Sequence, residues 1–317
     1  MISFLKACFS TYPQQQSARS AELSNTNSPD KTGLGHYLAG LIEGDGSFYV
    51  PTTPRDSKGR KLVPHIEIEF DIRDLPLAEK LLEVLGGGFL SRRATSQSCR
   101  LTIRDQRTYL FVINLINGHM RTPKIEALNR AIIWLNTYRL SNNHLSLKPL
   151  DTTPLSSNSW LSGFMDADCS FYFDWKLGKK GLPNAPIYYM NLSQKQEYLR
   201  ESNFGSSFLP IMENIAQFFL TDVKIIDRQK QTYRELGYYI RTDKIESKTI
   251  LFDYLTEYPL FSYKHYTVLS LRKVHDLVLT KGYKTANGND LLTGLKENMK
   301  YDPTVHNGSH LTYFYNT

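Results

Sequence analysis

The sequence has few of the features that mark disulfide-stapled, zinc-binding or membrane-spanning proteins. Its 317 residues include only three cysteines, Cys8, Cys99 and Cys169, and these show no paired spacing. Neither a disulfide framework nor a zinc site is therefore expected, and a reducing compartment fits. No run of about 18 apolar residues occurs, which argues against a transmembrane helix.

The first 33 residues lack hydrophobic periodicity. The stretch "STYPQQQSARSAELSNTNSPDKTG" is polar and rich in Ser and Gln, which predicts a disordered N-terminal extension over residues 1–33. The preceding "MISFLKACF" is too short for the hydrophobic region of a signal peptide, and its low Arg and Lys content argues against a transit peptide.

The chain carries a net charge of +7 and 20 tyrosines. This composition favours a polyanionic partner such as a nucleic acid, although a basic enzyme with another substrate explains the charge equally well. At about 100–200 residues per domain, the length predicts two domains. Charge and length alone therefore leave the function open.

A thirteen-residue segment occurs twice in the chain. "LAGLIEGDGSFYV" at 38–50 aligns with "LSGFMDADCSFYF" at 161–173, at an offset of 123 residues. Both copies read Leu, a small residue, Gly, two apolar residues, an acid, a small residue and Asp, followed after one position by Ser-Phe-Tyr. Because the offset is about the size of one domain, a duplication is the simplest explanation.

Each copy of the motif opens the same series of elements. After the first copy, "SFYVPTT" and "HIEIEFDI" read as strands, "DLPLAEKLLEVLGGG" as a helix that stops at glycine, and "FLSRRA" with "SCRLTIRD" as a hairpin. The second half repeats this series, and helices close each half. The pattern predicts domains at 34–143 and 158–285, a polar, proline-containing linker at 144–157 and a weakly ordered tail at 286–317.

The doubled motif resembles that of the LAGLIDADG homing endonucleases of organelle introns, in their single-chain, two-motif form. The resemblance covers roughly residues 35–280. It implies an α+β fold of two pseudo-symmetric αββαββα domains, whose curved antiparallel sheets form a DNA-binding saddle around two packed motif helices. Small residues four apart on one helix face let two backbones approach closely, and each motif supplies such a pair, Gly40 with Gly44 and Gly163 with Ala167.

The acids of each motif lie near a helix C-terminus, where a negative charge costs up to about 1 kcal/mol. Two such helices side by side would bring Asp45 and Asp168 together, and a divalent cation would relieve both penalties. Residues two apart on a helix point about 200° apart, so one acid of each motif faces the shared site. The resemblance implies that this is the second acid, and that Asp45 and Asp168 bind Mg²⁺, for which Mn²⁺ or Ca²⁺ can substitute, with Gly44 and Ala167 as further ligands. Glu43 and Asp166 are then supporting residues.

The resemblance also implies two further kinds of catalytic residue in each half. A lysine just before the last helix corresponds to Lys124 and Lys264, although a solvated surface lysine is the alternative. A polar residue that ends the second strand and orients water corresponds to Asp74 and Gln194. Because these two differ in type, the two cleavage sites need not be equivalent.

The motifs differ at the position that follows the second acid, which is Gly46 in the first copy and Cys169 in the second. If this position requires a positive φ, Cys costs roughly 1 kcal/mol more than Gly there. We therefore expect the geometry of the second site to depart from that of the first. No partner in the sequence suggests that Cys169 is a nucleophile.

Alternation along the strands places one face of each sheet on the helices and the other toward DNA. Cations in the strand connections are expected to meet phosphates, and side chains on the outward face to reach base edges in the major groove. The candidate DNA-binding residues are Tyr49, Arg55, Lys58, Arg60, Lys61, Arg92, Arg93, Arg100, Arg104, Tyr172, Lys176, Lys179, Lys180, Arg228, Lys230, Arg234, Tyr239 and Arg241.

The resemblance thus implies a site-specific double-strand DNA endonuclease of intron homing, which hydrolyses phosphodiester bonds and leaves short 3′ overhangs. An RNA maturase that assists splicing of its host intron, alone or as a second activity, is the main alternative, and a transcription regulator with degenerate motifs is a third. Intact Asp45 and Asp168 disfavour a purely non-catalytic protein. We expect a monomer without membrane association, in the mitochondrion rather than the chloroplast, with double-stranded DNA as its partner and host intron RNA under the alternative.

Overall fold

The computed structural model of the chain describes residues 31–92, 96–140, 144–178, 181–198, 206–302 and 306–315. The predicted N-terminal extension up to residue 30 lies outside these ranges, as do the candidate DNA-binding residues Arg93, Lys179 and Lys180. Within the described ranges, no helix has the length and apolar character that crossing a bilayer requires.

The first half begins with the motif helix, which leads directly into a strand. Its elements in chain order are α1 (Lys31–Asp45), β1 (Gly46–Tyr49), β2 (His65–Asp71), α2 (Leu75–Leu85), β3 (Phe89–Arg92), β4 (Ser98–Ile103), α3 (Gln106–Ile116) and α4 (Ile125–Tyr138). Local chemistry sets the ends of α2, which has a proline in its first turn and stops at Gly86, in the left-handed region with φ of 70°.

The second half repeats this order and adds a pair of short antiparallel strands, each of two residues, after its second strand. Its elements are α5 (Trp160–Asp168), β5 (Cys169–Asp174), β6 (Ile187–Lys195), β7 (Glu197–Tyr198), β8 (Ser206–Ser207), α6 (Leu209–Phe218), β9 (Lys224–Gln229), β10 (Arg234–Arg241), α7 (Ile245–Glu257) and α8 (Lys264–Leu279). The predicted α+β fold with two αββαββα repeats is confirmed, and one more helix closes each half.

Each half contains a four-stranded antiparallel sheet with the same strand order, β1-β2-β4-β3 in the first half and β5-β6-β10-β9 in the second. The register of the first hairpin is also the same. Gly46 pairs with Ile68 in one half, and Cys169 pairs with Leu192 in the other. Each residue of β2 therefore corresponds to the residue of β6 whose number is 124 higher.

Side chains alternate between a core face and an outward face along the strands. On β2, Ile66 and Ile68 are buried, whereas Glu67 and Glu69 are partly exposed. On β5, Phe173 is buried and Tyr172 is exposed. The alternation predicted from the sequence is therefore present, and it leaves a polar outer surface on each sheet.

The two motif helices cross at the centre of the molecule with their backbones in contact. A Cβ atom added at Gly40 would lie 2.0 Å from the carbonyl oxygen of Trp160, and one added at Gly163 would lie 2.0 Å from that of Tyr37. One added at Gly44 would lie 2.2 Å from the Cβ of Ala167. The predicted close crossing is confirmed, because no larger side chain fits at these positions.

The C-terminal segment is more ordered than its polar composition suggests. Residues Gly288–Glu297 form a helix, α9. The ring of Phe314 is fully buried, with its centroid 5.8 Å from that of Tyr37 and 4.8 Å from that of Phe261. The expectation of a weakly ordered tail therefore does not describe this segment, whose helix packs Leu292 and Leu295 against the core.

The helix crossing predicts opposite effects for two Gly-to-Ala substitutions. Gly40→Ala should lower the free energy of unfolding by about 2–4 kcal/mol, since the new methyl group meets backbone rather than a movable side chain. Gly294→Ala in α9 is the matched control, because its added Cβ would meet nothing within 4 Å and should raise that energy by up to about 1 kcal/mol. Denaturant unfolding followed by circular dichroism measures both, and equal stabilities would contradict the crossing.

Candidate active site

The two motif helices end beside each other, and both end at an aspartate. α1 ends at Asp45 and α5 at Asp168, after which each chain turns directly into the first strand of its sheet. A Cβ atom added at Gly44 would lie 2.8 Å from Oδ2 of Asp168. The carboxylate of Asp168 therefore reaches across the crossing to the end of the opposite motif helix.

The environment of these two acids disfavours their negative charges. Burial raises the pKa of Asp168 to about 6, and the charge of Asp45 contributes to the same shift. The side-chain amide of Gln194 donates a hydrogen bond to Oδ2 of Asp168 and opposes the shift. Loss of hydration also raises the pKa of Asp45, against the charges of Lys264 and Lys124. A bound cation would reverse both shifts.

The donor atoms at this position fit Mg²⁺. They are the carboxylates of Asp45 and Asp168 and the main-chain carbonyls of Gly44 and Ala167, which are all hard oxygen donors of the kind that Mg²⁺ prefers. The two carbonyls also accept hydrogen bonds from Lys124 and Lys264. Among the described residues, no side chain donates a hydrogen bond to the carboxylate of Asp45, a residue that keeps solvent access although the surrounding protein removes part of its hydration. Two neighbouring like charges, of which Asp168 accepts a hydrogen bond from the amide of Gln194, are the arrangement that a divalent cation stabilises.

Lys124 immediately precedes α4, as predicted, and its ammonium group caps the end of the first motif helix. Its Nζ donates to the carbonyls of Ile42 at 3.1 Å, Gly44 at 3.1 Å and Gly46 at 2.9 Å. Burial lowers the pKa of Lys124 to about 8 against the charges of Glu43 and the site aspartates, so the group is still mostly protonated at pH 7. The negative end of the helix dipole stabilises that charge.

Lys264 is the first residue of α8 and has the same role in the second half. Its Nζ donates to the carbonyls of Met165 at 3.2 Å, Asp166 at 2.6 Å and Ala167 at 3.1 Å. Positive charge therefore lies at the end of each motif helix. The structure brings both predicted lysines to the site, bound to its backbone rather than exposed on the surface.

The first acid of the first motif, Glu43, points away from this site and into the protein. Its carboxylate accepts hydrogen bonds from the backbone N–H of Arg121 at 2.9 Å and of Thr122 at 2.5 Å, just before α4. It also accepts one from the indole Nε1 of Trp160 in the second half at 2.6 Å. Glu43 thus joins the motif helix, the loop that carries Lys124, and the other half.

Asp166 makes the corresponding contacts in the second half. It accepts hydrogen bonds from the backbone N–H of Phe261 at 2.8 Å and of Ser262 at 3.1 Å, just before α8. The phenol of Tyr37, in the first half, donates to it at 2.8 Å. The two acids of each motif therefore divide their roles, since the first binds backbone and the second faces the shared site.

Asp74 and Gln194 do not occupy equivalent positions. β2 ends at Asp71, and Asp74 is a buried residue of the following 3-10 turn, where it accepts the N–H of Tyr263 at 2.5 Å. The strand register instead makes Phe70 of the first half equivalent to Gln194 of the second half. The expected pairing is wrong because the strand ends three residues earlier than assumed. The first half thus has a phenylalanine where the second has an amide.

The position after each second aspartate does not need a positive φ. Cys169 has φ of −91° and ψ of 157°, which is extended backbone that any residue adopts. Gly46 also lies outside the positive-φ region, but a Cβ there would approach Ile42 within 2.8 Å. The expected distortion of the second site is therefore wrong. Burial also raises the pKa of the Cys169 thiol to about 12, which argues against a nucleophilic role.

A sequence model of the LAGLIDADG endonuclease family matches residues 38–135 and 161–275, and each match begins at one of the two motif helices. The chain belongs to the LAGLIDADG endonuclease family. It is 32% identical over 307 residues to the intron-encoded DNA endonuclease aI3 of Saccharomyces cerevisiae. The alignment covers 89% of this chain and 73% of that protein.

Two other relatives are more distant. An uncharacterized 37.2 kDa protein of cox1 intron 2 in Schizosaccharomyces pombe is 27% identical over 273 residues, covering 80% of this LAGLIDADG chain and 69% of the relative. The intron-encoded RNA maturase bI4 of Saccharomyces cerevisiae is 27% identical over 183 residues, covering 56% of this chain and 25% of the maturase.

Solved structures have the same fold. The meganuclease I-SmaMI bound to uncleavable DNA superposes with a TM-score of 0.60 at 17% identity, covering 84% of this chain and 98% of that one. I-SmaMI bound to its uncleaved target in the presence of calcium ions gives a TM-score of 0.58 at 16% identity, with the same coverage. At this identity the likeness establishes the two-domain LAGLIDADG fold.

The outward face of the second LAGLIDADG sheet forms a polar groove of about 360 Å³. Four predicted DNA-binding residues line it, Tyr172, Arg228, Tyr239 and Arg241. The rings of Tyr172 and Tyr189 stack with centroids 5.0 Å apart, and the guanidinium carbon of Arg241 lies 4.2 Å from the centroid of Tyr189. The groove thus combines cations with flat aromatic surfaces.

The outward face of the first LAGLIDADG sheet carries acids beside its predicted DNA-binding residues. Arg100 forms ion pairs with Glu67 at 2.9 Å and Glu69 at 2.8 Å, and Tyr49 stacks on His65 with centroids 4.6 Å apart. The alternation of "HIEIEFD" places both glutamates on this face, so the strand pattern alone predicts acids on the outer surface of this sheet. Arg100 is therefore held in place by two carboxylates.

Most of the other predicted DNA-binding cations are exposed, and several already have acidic partners in the same loop or on the neighbouring strand. Arg60 pairs with Asp56 at 2.6 Å, and Arg234 pairs with Asp227 at 2.6 Å. Exposed pairs of this kind are weak, so they do not prevent contact with a phosphate. The exposed candidates are Arg55, Lys58, Arg60, Lys61, Arg92, Arg104, Lys176, Arg228, Lys230 and Arg234.

Asp74 predicts a specific pH dependence of stability. Its pKa is raised from 3.8 to about 7, mainly by burial, so the folded protein keeps this proton to a higher pH than the unfolded chain does. Stability therefore falls as the pH rises from about 4 to about 7. Asp74→Asn keeps an acceptor for the Tyr263 N–H without the charge, and should be more stable than wild type by about 1–4 kcal/mol at pH 8.

Unfolding at pH 4.5 and pH 8 measures this difference. The stability advantage of Asp74→Asn should shrink strongly at the lower pH, where wild-type Asp74 is protonated in the folded state. Asp222→Asn, at an exposed position, is the control that should not change the pH dependence. An advantage that is the same at both pH values would show that the charge of Asp74 is not the cause.

Proposed function

We propose that this protein is an intron-encoded, site-specific endonuclease that cuts both strands of double-stranded DNA by metal-dependent hydrolysis and leaves short 3′ overhangs. The observation that carries the proposal is the meeting of Asp45 and Asp168 at the helix crossing, with Lys124 and Lys264 bound at the same helix ends. Family membership, a relative named as a DNA endonuclease and a DNA-bound structure of the same fold support it.

The residues of the site account for the chemistry of phosphodiester hydrolysis. Mg²⁺ held by Asp45, Asp168 and the carbonyls of Gly44 and Ala167 would neutralise charge at the scissile phosphate and make an attacking hydroxide available near neutral pH. The ammonium groups of Lys124 and Lys264 add fixed positive charge where negative charge develops. Gln194 orients the Asp168 carboxylate, and a water bound to it, through its amide.

The pseudo-twofold arrangement matches a substrate with two antiparallel strands. Each half contributes one exposed or partly exposed aspartate and one lysine, so one chain carries two sets of groups for two scissile bonds. The outer faces of the two sheets flank this centre, and their aromatic and charged side chains would read bases while the loop cations contact phosphates. The protein therefore acts as a monomer.

The proposal extends to cofactor and compartment. The all-oxygen donor set favours Mg²⁺, with Mn²⁺ or Ca²⁺ able to occupy the same position, and I-SmaMI has been solved with its DNA in the presence of calcium ions. The relatives are encoded in introns, one of them in cox1 intron 2, which supports an organelle origin and, for this chain, the mitochondrion.

An RNA maturase function is the second candidate, because one relative, whose alignment covers 56% of this chain, is named as an RNA maturase. Basic loops and stacked tyrosines suit single-stranded RNA as well as DNA, since aromatic side chains stack on unpaired bases. The carboxylates of Asp45 and Asp168 would repel the phosphates of a bound RNA, whereas the proposed hydrolysis uses them to hold a cation. The geometry of the site therefore favours the nuclease.

Substitution of either site aspartate tests the catalytic proposal. Wild type with Mg²⁺ should linearise a plasmid that carries the intronless host gene, whereas Asp45→Asn and Asp168→Asn should each cut at least about 100-fold more slowly, because each loses one metal-binding charge. Asp222→Asn, on the exposed surface, is the matched control and should keep wild-type activity. Gel analysis of supercoiled, nicked and linear plasmid measures the rates.

Binding measurements with the same variants separate the two candidate functions. DNA affinity in Ca²⁺ should change little in the two aspartate variants, since the outer sheet faces are intact. Undiminished cleavage by both variants would rule out the proposed site. Stimulation of intron splicing by wild type, with no cleavage of the intronless gene, would instead establish the maturase.

The difference between Gln194 and Phe70 predicts that the two strands are cut unequally. Gln194→Met keeps the side-chain length but removes the bond to Asp168, and should slow the cutting of one strand by about tenfold or more. Phe70→Leu, at the equivalent position, should leave the ratio of the two strand rates unchanged. End-labelled duplexes, one strand at a time, measure this ratio. An equal slowing of both strands by Gln194→Met would contradict the assignment.

A further inference from the structure

Two histidines and an aspartate meet at the start of α1, away from the candidate active site. His36 lies in α1, His119 in the loop between α3 and α4, and Asp151 in the linker. One nitrogen or oxygen of each lies within 4.8 Å of the others. His36 Nε2 is 3.8 Å from Asp151 Oδ2, and the two imidazole rings have centroids 3.8 Å apart at an angle of 36°.

We propose that His36, His119 and Asp151 bind a transition-metal ion such as Zn²⁺, which fastens the linker to the first half. Two imidazoles and one carboxylate are a ligand set that Zn²⁺ accepts, whereas Mg²⁺ prefers oxygen donors only. Tetrahedral Zn²⁺ with bonds of about 2.0–2.1 Å places its ligand atoms about 3.3 Å apart. Small rotations of partly buried side chains bring these donors to that spacing.

The cluster belongs to the first half alone. The motif alignment places Ser159 opposite His36. The N–H of Arg121 binds Glu43 as the N–H of Phe261 binds Asp166, so these two loop positions are equivalent. Two residues earlier in each loop, His119 therefore corresponds to Pro259. Neither serine nor proline is a usual zinc ligand. The cluster is therefore not a repeat of the catalytic apparatus, and the cysteine spacing, which excludes a cysteine–zinc site, does not bear on it.

Neighbouring groups hold the Asp151 carboxylate in position. Arg121 donates to its Oδ2 at 2.8 Å and to the carbonyl of Thr153 at 2.6 Å, and the Thr153 N–H donates to its Oδ1 at 2.8 Å. The N–H of Asp151 donates to the carbonyl of Met120 at 2.8 Å, so the linker runs along the histidine-bearing loop. Outer partners of this kind orient metal ligands. The charge of Arg121 weakens cation binding at this site.

This position gives the metal a structural role next to the active site. The loop that contains His119 continues through Arg121 and Thr122, whose N–H groups bind Glu43, to Lys124. Metal at the cluster would therefore hold the linker against the loop that delivers Lys124. Its effect is on stability, so the test does not depend on cleavage.

Zinc binding is measured with the full chain carrying Asp45→Asn and Asp168→Asn, which removes the candidate active-site charges as competing ligands. After treatment with a chelator, calorimetric titration with zinc chloride should give one ion per chain. At 100 times the Kd, zinc should raise the Tm by roughly 3–8 °C. His36→Asn or His119→Asn in the same background should weaken zinc binding at least tenfold and, at the same zinc concentration, reduce the Tm shift to about half or less.

A second histidine pair in the protein supplies the control. The rings of His265 and His310 also stack, with centroids 4.7 Å apart, but Nε2 of His310 contacts the carbonyl of Phe261 at 2.9 Å. His310→Gln should leave zinc affinity unchanged. The readout is the zinc-dependent increment in Tm, so a general loss of stability does not mimic it. No zinc binding in the double-aspartate background, or unaltered binding in both His36→Asn and His119→Asn, would overturn the proposal.

Discussion

The contact between the two motif helices fixes the position of every group in the candidate active site. Backbones touch at Gly40 and Gly163, where even a methyl group would overlap a carbonyl oxygen of the other helix. Because each helix ends only five residues beyond this contact, Asp45 and Asp168 are forced together and their charges repel. The fold thus stabilises an arrangement that is electrostatically unfavourable until a cation binds.

Reciprocal hydrogen bonds hold the halves in that arrangement. Trp160 of the second half donates to Glu43 of the first, and Tyr37 of the first donates to Asp166 of the second. Each of these buried carboxylates also binds two backbone N–H groups at the start of a closing helix of its own half. A buried carboxylate is costly unless its bonds are satisfied, so these bonds specify one register between the halves.

The sequence was sufficient for features that repeat or follow a period, and insufficient where one residue's position depends on distant packing. Two motif copies predicted the element order and the glycine crossing, and the family resemblance implied the positions of Lys124 and Lys264 before a closing helix of each half. Strand ends are set by tertiary contacts, which is why Asp74 was misplaced and Phe70 overlooked. The burial of Phe314 depends on rings more than 50 residues away in the chain, and no local pattern reports such a contact.

Duplication has kept the two halves alike where the crossing requires it and has let them diverge elsewhere. The shared parts are the small residues, the paired acids and the lysines at the helix ends. The outer sheet faces differ, because one presents Arg100 between Glu67 and Glu69 while the other presents stacked tyrosines with Arg241. Glutamates repel phosphates and accept hydrogen bonds from the cytosine N4 amino group, whereas arginine donates to guanine O6 and N7. A symmetric centre flanked by two sheets with different outer faces suits a duplex whose two half-sites differ in sequence.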